Sequence, residues 1–322
     1  MSTMQAIQLP DTSSWDGAVA LSNLGVIVAQ GEDAGTFLHG QFSQDMQSHP
    51  AEQTRLAAYC SPKGRMLASF QTLRPEPDAY WLMVDAGVLP AALKRLSMFV
   101  LRAKCKLRDA SAELKALGLI GPSAAKACEG RVPGQAWHDG QGAQWLRLPD
   151  VLGVNRCLWV GPSAQCQAVL EAAPVQPSGA WAWLEVMSGV ARIEVGGVDQ
   201  FVPQMVNFEL VGGVNFAKGC YPGQEVVARS QYRGTLKRRA FVLHGAQAMA
   251  AGQEVFASTD PGQPAGMVVN AAAVPGSDGW SALVELKLNA LDATLHLGAA
   301  DGPVLTLGQL PYPLPSAEDD EA

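Results

Sequence analysis

The chain has 322 residues, of which 48% are hydrophobic and 16% charged, a composition typical of globular rather than disordered proteins. Its formal net charge of −7 argues against a dedicated binder of duplex DNA. The first residues contain neither a basic nor an apolar segment, and no apolar run is long enough to span a bilayer. We therefore expect a cytoplasmic protein without a membrane segment.

Six cysteines are scattered along the chain, with no Cys-x-x-Cys pair and no tight group of cysteine and histidine. This spacing does not indicate a zinc site or a preassembled set of iron–sulfur ligands, so no metal site is predicted. In a reducing compartment most of these cysteines should be small buried hydrophobic residues.

The first hundred residues predict a mixture of strands and helices. Residues 24–46 indicate an apolar strand, a turn at Gly31, and a helix with Asp33 as its N-cap. Residues 56–74 indicate two strands joined by a Ser-Pro-Lys-Gly turn. A buried strand follows at 80–85.

Pro90 then opens a helix. After it, residues 102–108 alternate cationic and apolar side chains, which predicts a half-buried strand with four cations on one face. We interpret this face as a solvated sheet edge; the alternative is a contact for anions such as a glutamate tail or an RNA backbone.

The second half of the chain has a different residue pattern. Residues 115–175 indicate a strand, a helix, a strand and a helix, and residues 181–193 indicate another helix. From Lys237 onward, short β-rich runs alternate with turn residues, as in a small antiparallel barrel or sandwich. The final segment, SAEDDEA, is predicted to be a disordered acidic tail.

The segment KGCYPGQEVVAR (218–229) gathers reactive and conformationally special residues. Pro222 and Gly223 suit the centre of a type II turn, because proline presets the first φ and glycine supplies a positive second φ. A helix is predicted to begin at Gln224, with Glu225 near its positive end.

Cys220 therefore precedes a helix N-terminus, with Lys218 two residues away, and both features favour the thiolate over the thiol. Gly219 removes side-chain bulk, so that a ligand or partner can approach the backbone. We interpret Cys220 as a functional thiol rather than a small residue in a tight turn. The sequence leaves open whether it is a nucleophile, a metal or cluster ligand, or a redox partner. Arg229, Arg233, Lys237, Arg238 and Arg239 form a second basic cluster beside it.

The run from 201 to 239 closely resembles the signature of the YgfZ-type folate-binding proteins, bacterial relatives of a mitochondrial factor that helps to mature [4Fe–4S] proteins. The matching positions are Lys218, Gly219, Cys220, Tyr221, Gly223, Gln224, Glu225 and Arg229. Segments 28–46, 59–66 and 310–315 also resemble the family, so the similarity spans nearly the whole chain.

The resemblance implies a fold shared with the T-protein of the glycine cleavage system. That α+β fold has lobes around a central cavity that holds tetrahydrofolate, and a C-terminal antiparallel β-barrel. We accordingly predict a folate-binding region of two or three intertwined lobes at 1–239, a barrel at 240–315 and a tail at 316–322.

This chain differs in two places from the residue patterns of the T-protein and of the family. The T-protein carries an acidic pair where this chain has Ala68 and Ser69, so a true aminomethyltransferase is not expected. The family binds folate partly through two tryptophans; one matches Trp181, whereas the other position is Leu24, which makes one wall aliphatic.

The resemblance implies a tetrahydrofolate-binding monomer that supports assembly or repair of iron–sulfur enzymes, including those that modify tRNA. Cys220, tuned by Lys218, would act at the mouth of the folate cavity, and Glu225 and Arg229 would hold the loop through charge-assisted bonds. Two alternatives remain: a folate-dependent one-carbon transferase, and a protein that binds tRNA directly. No partner for His39 is readable from the sequence.

Overall fold

The computed structural model describes residues 7–232 and 236–315. Its strands are β1 Gly17–Ala20, β2 Leu24–Gln30, β3 Arg55–Cys60, β4 Met66–Glu76, β5 Ala79–Asp85, β6 Lys106–Asp109, β7 Leu114–Ile120, β8 Ala136–His138, β9 Gln144–Val151, β10 Val154–Pro162, β11 Arg238–Gly245, β12 Glu254–Ala257, β13 Asp260–Ala273, β14 Trp280–Lys287, β15 Leu295–Leu297 and β16 Val304–Leu307. Its α-helices are α1 Ala34–His39, α2 Leu89–Val100, α3 Gly121–Ala127, α4 Cys166–Glu171, α5 Ala180–Met187 and α6 Gln224–Tyr232. None of these helices is long and apolar enough to cross a membrane.

The first sheet is antiparallel, with the order β3-β4-β5-β2-β6, and α1 and α2 contact its strands. The predicted turn between β3 and β4 is confirmed: the Gly64 amide donates to Ser61 O over 2.8 Å, and Gly64 has a φ of +73°. Asp33 does not cap α1 through its side chain, because Asp33 Oδ2 instead accepts the Lys104 amide at 2.7 Å.

The predicted strand at 102–108 is wrong in its start. Leu101, with a φ of +44°, follows α2, and the chain turns until β6 begins at Lys106. The four cations therefore do not form one row: Lys104 pairs with Glu32 and Arg108 with Glu113.

The second sheet is also antiparallel, with the order β1-β7-β10-β9-β8. Helix α3 packs on β7 and β10, and α4 packs on β1 and β7. Its buried side chains, including Leu117, Cys157 and Trp159, form a separate apolar cluster on this side of the molecule.

Helix α5 lies where the two sheets and the barrel meet. Six of its eight residues are buried, and its side chains share one apolar core with strands of both sheets and with β11 and β13. Trp183 is fully buried and donates from Nε1 to Ser281 Oγ on β14 at 2.9 Å. This central position of α5 fixes the walls of the cavity described below.

The C-terminal strands close into a six-stranded antiparallel barrel with the order β11-β14-β13-β12-β15-β16. The predicted barrel is confirmed, although the sequence did not indicate β12. We propose to keep the folate-binding region and the barrel as the two parts of the chain; the first barrel strand, β11, begins at Arg238, two residues before the predicted boundary at 240. The acidic tail at 316–322 lies outside the described residues.

Candidate functional site

A cavity of about 540 Å³ lies between the two sheets, α5 and the segment that follows the barrel. Trp181 on α5 and Leu24 on β2 both line it, so the fold brings these two predicted residues together. The volume falls within the range of about 300–1,000 Å³ that is typical of small-molecule sites.

Trp181 forms a wall of this cavity rather than an open platform, since only 5% of its surface is exposed. A Cβ on Gly118 would lie 2.3 Å from its ring, so the ring packs directly on the backbone of β7. The Arg156 guanidinium carbon lies 5.8 Å from the ring centroid. Among the described residues, Trp181 Nε1 is buried and has no hydrogen-bond partner.

A network of ion pairs that was not predicted from the sequence lines the same cavity. Glu185 on α5 accepts from Arg156 Nη1 at 2.8 Å and also from Arg192. Arg147 pairs with Asp150. Arg156 is only 2% exposed, so burial lowers its pKa, and the charge of Glu185 opposes this shift.

The two positions that differ from the T-protein lie on β4. Ser69 lines the cavity, and its Oγ accepts the Ile193 amide at 2.9 Å. Ala68 is fully buried in the core of the first sheet. Neither residue supplies a carboxylate. The acidic side chains that line this cavity belong to Asp150 and Glu185.

The predicted type II turn of the motif is present. The Gln224 amide donates to Tyr221 O at 3.2 Å, and Gly223 has a φ of +79°. Helix α6 then starts at Gln224 as expected. Gly223 packs against the turn between β3 and β4, where a Cβ would lie 2.4 Å from Ser61 O.

We expect Gly223→Ala to destabilise the fold more than Gly130→Ala. Gly130 has a similar φ of +72° but no atom within 4 Å of its Cβ position, so its substitution carries only the backbone cost of about 1–2 kcal/mol. Gly223→Ala adds the clash with Ser61, which costs about 1–3 kcal/mol more. Urea unfolding of both variants measures the difference; equal losses would contradict the role assigned to this close contact.

Lys218 is buried beneath the motif loop rather than exposed beside the thiol. Its Nζ donates to Phe42 O at 2.8 Å and to His39 O, and it lies 4.8 Å from the Tyr221 ring centroid. Burial lowers the pKa of Lys218 to about 8, although Asp45 and Cys220 oppose this shift. Lys218 thereby ties the motif loop to the end of α1.

Cys220 is exposed, whereas Cys60, Cys105, Cys128 and Cys157 are buried and Cys166 is intermediate. Gly219, beside it, is exposed as well. No residue of the 218–229 motif lines the cavity that contains Trp181 and Leu24. The predicted site is therefore divided into two parts, a cavity and a separate surface thiol. The six residues of β3 connect them over roughly 17 Å, from Arg55 at the cavity to Cys60 beside the motif turn.

The remaining charged residues of the motif do not behave as predicted. Glu225 and Arg229 are exposed, and neither forms an ion pair with another described residue, so the expected charge-assisted bonds are absent there. Two members of the second basic cluster are neutralised by ion pairs, because Arg238 pairs with Glu285 and Arg239 pairs with Glu209.

Lys237 is exposed, and Arg233 lies outside the described residues. Gln224 Nε2 donates to Lys218 O at 3.4 Å, which helps to hold the loop.

His39 has a partner that its position in the sequence did not reveal. His39 Nδ1 lies 2.9 Å from Asp45 Oδ1, across the turn that follows α1. Partial burial would raise the pKa of Asp45, but hydrogen bonds from Ser48 and His39 outweigh it and lower the pKa to about 2. Asp45 is therefore ionised at neutral pH.

Comparisons with known proteins agree with this architecture. Residues 14–148 match the family model described as the GCVT N-terminal domain. The solved structure of the glycine cleavage system aminomethyltransferase T from Bartonella henselae superposes with a TM-score of 0.74, covering 93% of this chain and 87% of that chain at 17% identity. This similarity confirms the T-protein-like fold.

Close sequence relatives carry the name tRNA-modifying protein YgfZ. The protein from Yersinia enterocolitica is 30% identical over 311 residues, which cover 92% of each chain. The protein from Serratia proteamaculans is 28% identical over 313 residues, covering 94% of this chain and 93% of the relative. The predicted resemblance is confirmed, and the chain belongs to the YgfZ family.

Proposed function

We propose that the cavity binds tetrahydrofolate and that the protein supports assembly or repair of iron–sulfur enzymes in the cytoplasm, including enzymes that modify tRNA. The observation that carries this proposal is the position of Trp181 and Leu24 in one cavity of about 540 Å³ with charged walls. Bound tetrahydrofolate would supply the redox and one-carbon chemistry of a reduced pteridine.

The residues present fit such a ligand in charge and hydrogen bonding. A pteridine offers ring nitrogens that accept hydrogen bonds, and the buried Trp181 Nε1 is a donor without a partner among the described residues. Donors on the pteridine edge suit the carboxylates of Glu185 and Asp150. The glutamate tail of the ligand carries carboxylates, which suit the arginines of the cavity wall, Arg192 in particular.

Cys220 is proposed as the reactive thiol of the protein. It is exposed and belongs to a loop held in place by the buried Lys218. Because Cys220 does not line the cavity, its chemistry would be directed at a protein partner rather than at the pteridine. The name of the relatives then describes a consequence for tRNA, reached through the iron–sulfur enzymes that modify it.

Titration with tetrahydrofolate tests the cavity assignment. We expect saturable binding by calorimetry, and Trp181→Phe should weaken it about tenfold, since loss of one hydrogen bond to a buried ligand costs about 1–1.5 kcal/mol. Leu24→Trp should tighten binding, because a second aromatic wall contributes about 0.5–1.5 kcal/mol.

Trp145→Phe serves as the control, since Trp145 stacks on Trp137 and does not line the cavity. Binding that is unaffected by both the Trp181 and the Leu24 substitutions would reject this cavity as the folate site.

A further inference from the structure

A histidine and an aspartate stand beside the motif loop in a fixed arrangement. His39 is the last residue of α1, and its Nδ1 lies 2.9 Å from Asp45 Oδ1. The Asp45 carboxylate is itself held, because the backbone amides of Gln47 and Ser48 donate to Oδ1 at 3.0 and 3.1 Å. The imidazole is therefore oriented by a carboxylate that cannot easily move.

The other nitrogen of this ring faces the motif loop. His39 Nε2 lies 3.4 Å from the position that a Cβ on Gly219 would occupy, and the next residue is Cys220. No described residue makes a hydrogen bond to Nε2. When Nδ1–H donates to Asp45, Nε2 carries a lone pair and is a proton acceptor directed at the backbone beside the thiol.

Lys218 also holds the motif loop against the end of α1. Lys218 Nζ donates to the carbonyl oxygens of His39 and Phe42, so the backbone around Gly219 is held against His39. The charged and titratable groups placed at this end of α1 by their contacts are Asp45 and Lys218, with Arg55 from β3, which donates to Asp45 O, and Cys220, which follows Gly219. Only Asp45 among them contacts a ring nitrogen.

We propose that His39, oriented by Asp45, accepts the proton of the Cys220 thiol. The S–H bond breaks as an Nε2–H bond forms, which leaves a thiolate and an imidazolium whose charge Asp45 stabilises. No hydrogen bond joins Cys220 Sγ to the ring among the described residues, but Cys220 is exposed and follows Gly219, which the ring faces. Pairs of nucleophile and base are commonly loose before a partner binds.

This inference rests on the proposed function only in taking Cys220 as the reacting thiol, and it is independent of folate. The thiolate is the form that attacks a disulfide or another electrophile, and the form that binds iron. The substrate class that suits the pair is accordingly an electrophilic sulfur, such as a protein disulfide, or a thiolate-bound iron centre on a partner.

The test is the pH dependence of Cys220 alkylation by iodoacetamide, followed by mass spectrometry in a Cys166→Ser background. Iodoacetamide alkylates the thiolate, so the rate at each pH reports how much of Cys220 is ionised. His39→Gln should raise the pH at which the rate is half-maximal and slow alkylation at pH 7 at least fivefold, with the same rate at pH 10. Asp45→Asn should give an intermediate shift.

Two controls separate a proton acceptor from a structural role. His138→Gln, at an exposed position on β8, should leave the profile unchanged. Added imidazole should restore the rate at pH 7 in His39→Ala, which a purely structural histidine would not permit. If the His39→Gln variant fails to fold, Asp45→Asn carries the same test.

Coincident profiles for the unsubstituted protein and His39→Gln would overturn the proposal, as would a shift produced by Lys218→Gln but not by His39→Gln. The expected shift in His39→Gln together with full complementation by Cys220→Ala would instead reject the proposed cellular role of Cys220 and leave the proton transfer intact.

Discussion

Glu185→Gln should lower the free energy of unfolding by about 3 kcal/mol, because it leaves a buried guanidinium without its counter-ion. Arg156 is 2% exposed, and Glu185 is the carboxylate that offsets its charge. Burial already lowers the pKa of Arg156, and loss of Glu185 would increase the cost of keeping it charged. Arg192, which also donates to Glu185, would lose its partner at the cavity wall.

The matched control is Glu113→Gln. Glu113 accepts from Arg108 at the same distance of 2.8 Å, but the two side chains are 65% and 48% exposed. Solvent screens this pair, so the change in the free energy of unfolding should stay within about 0.5 kcal/mol. Urea unfolding measures both variants. Similar small losses for the two would show that the Glu185 network does not stabilise the fold.

Cys220→Ala should abolish complementation of a strain that lacks the family protein, while leaving stability unchanged within about 0.5 kcal/mol. The expected stability follows from the exposed position of Cys220, where the sulfur packs against little. The expected loss of function follows from the proposed thiol chemistry. Complementation measured beside the thermal midpoint separates the two effects.

Cys166→Ala is the control, since Cys166 is the other cysteine with appreciable exposure among the six. It should complement fully. Burial raises the pKa of Cys60 to about 12, so that thiol is not a substitute for Cys220. Full complementation by Cys220→Ala would remove the thiol from the proposed function.

One strand of the first sheet, β3, connects the cavity to the loop that carries Cys220. Arg55 and Leu56 at one end of β3 line the cavity, and Cys60 at the other end leads into the turn that packs on Gly223. A strand with these contacts links the cavity wall to the motif loop through the first sheet. The proposed folate binding at one end of β3 and the proposed reactivity of Cys220 near the other end can be measured in the same protein.

Local features of the structure followed from the sequence. Examples are the turn at Gly64, the turn at Gly223 and the start of α6. Each depends on residues within four positions of each other, whose φ preferences can be recognised from the residue types alone. The barrel strands were predicted for the same reason, since alternation and turn residues are local signals. The prediction that a strand begins at 102 was wrong because Asp33, far away in the chain, binds the Lys104 backbone amide in the turn that precedes β6.

The candidate site was decided by contacts between distant residues. Lys218 reaches the carbonyl of Phe42 across 176 positions, Ser69 meets Ile193 across 124, and Arg156 meets Glu185 across 29. The sequence by itself determined which chemical groups the motif carries and that it forms a turn before a helix. Only the tertiary structure decided that the thiol lies apart from the cavity and that His39 faces its loop, because such pairings depend on how packed sheets meet rather than on neighbouring residues.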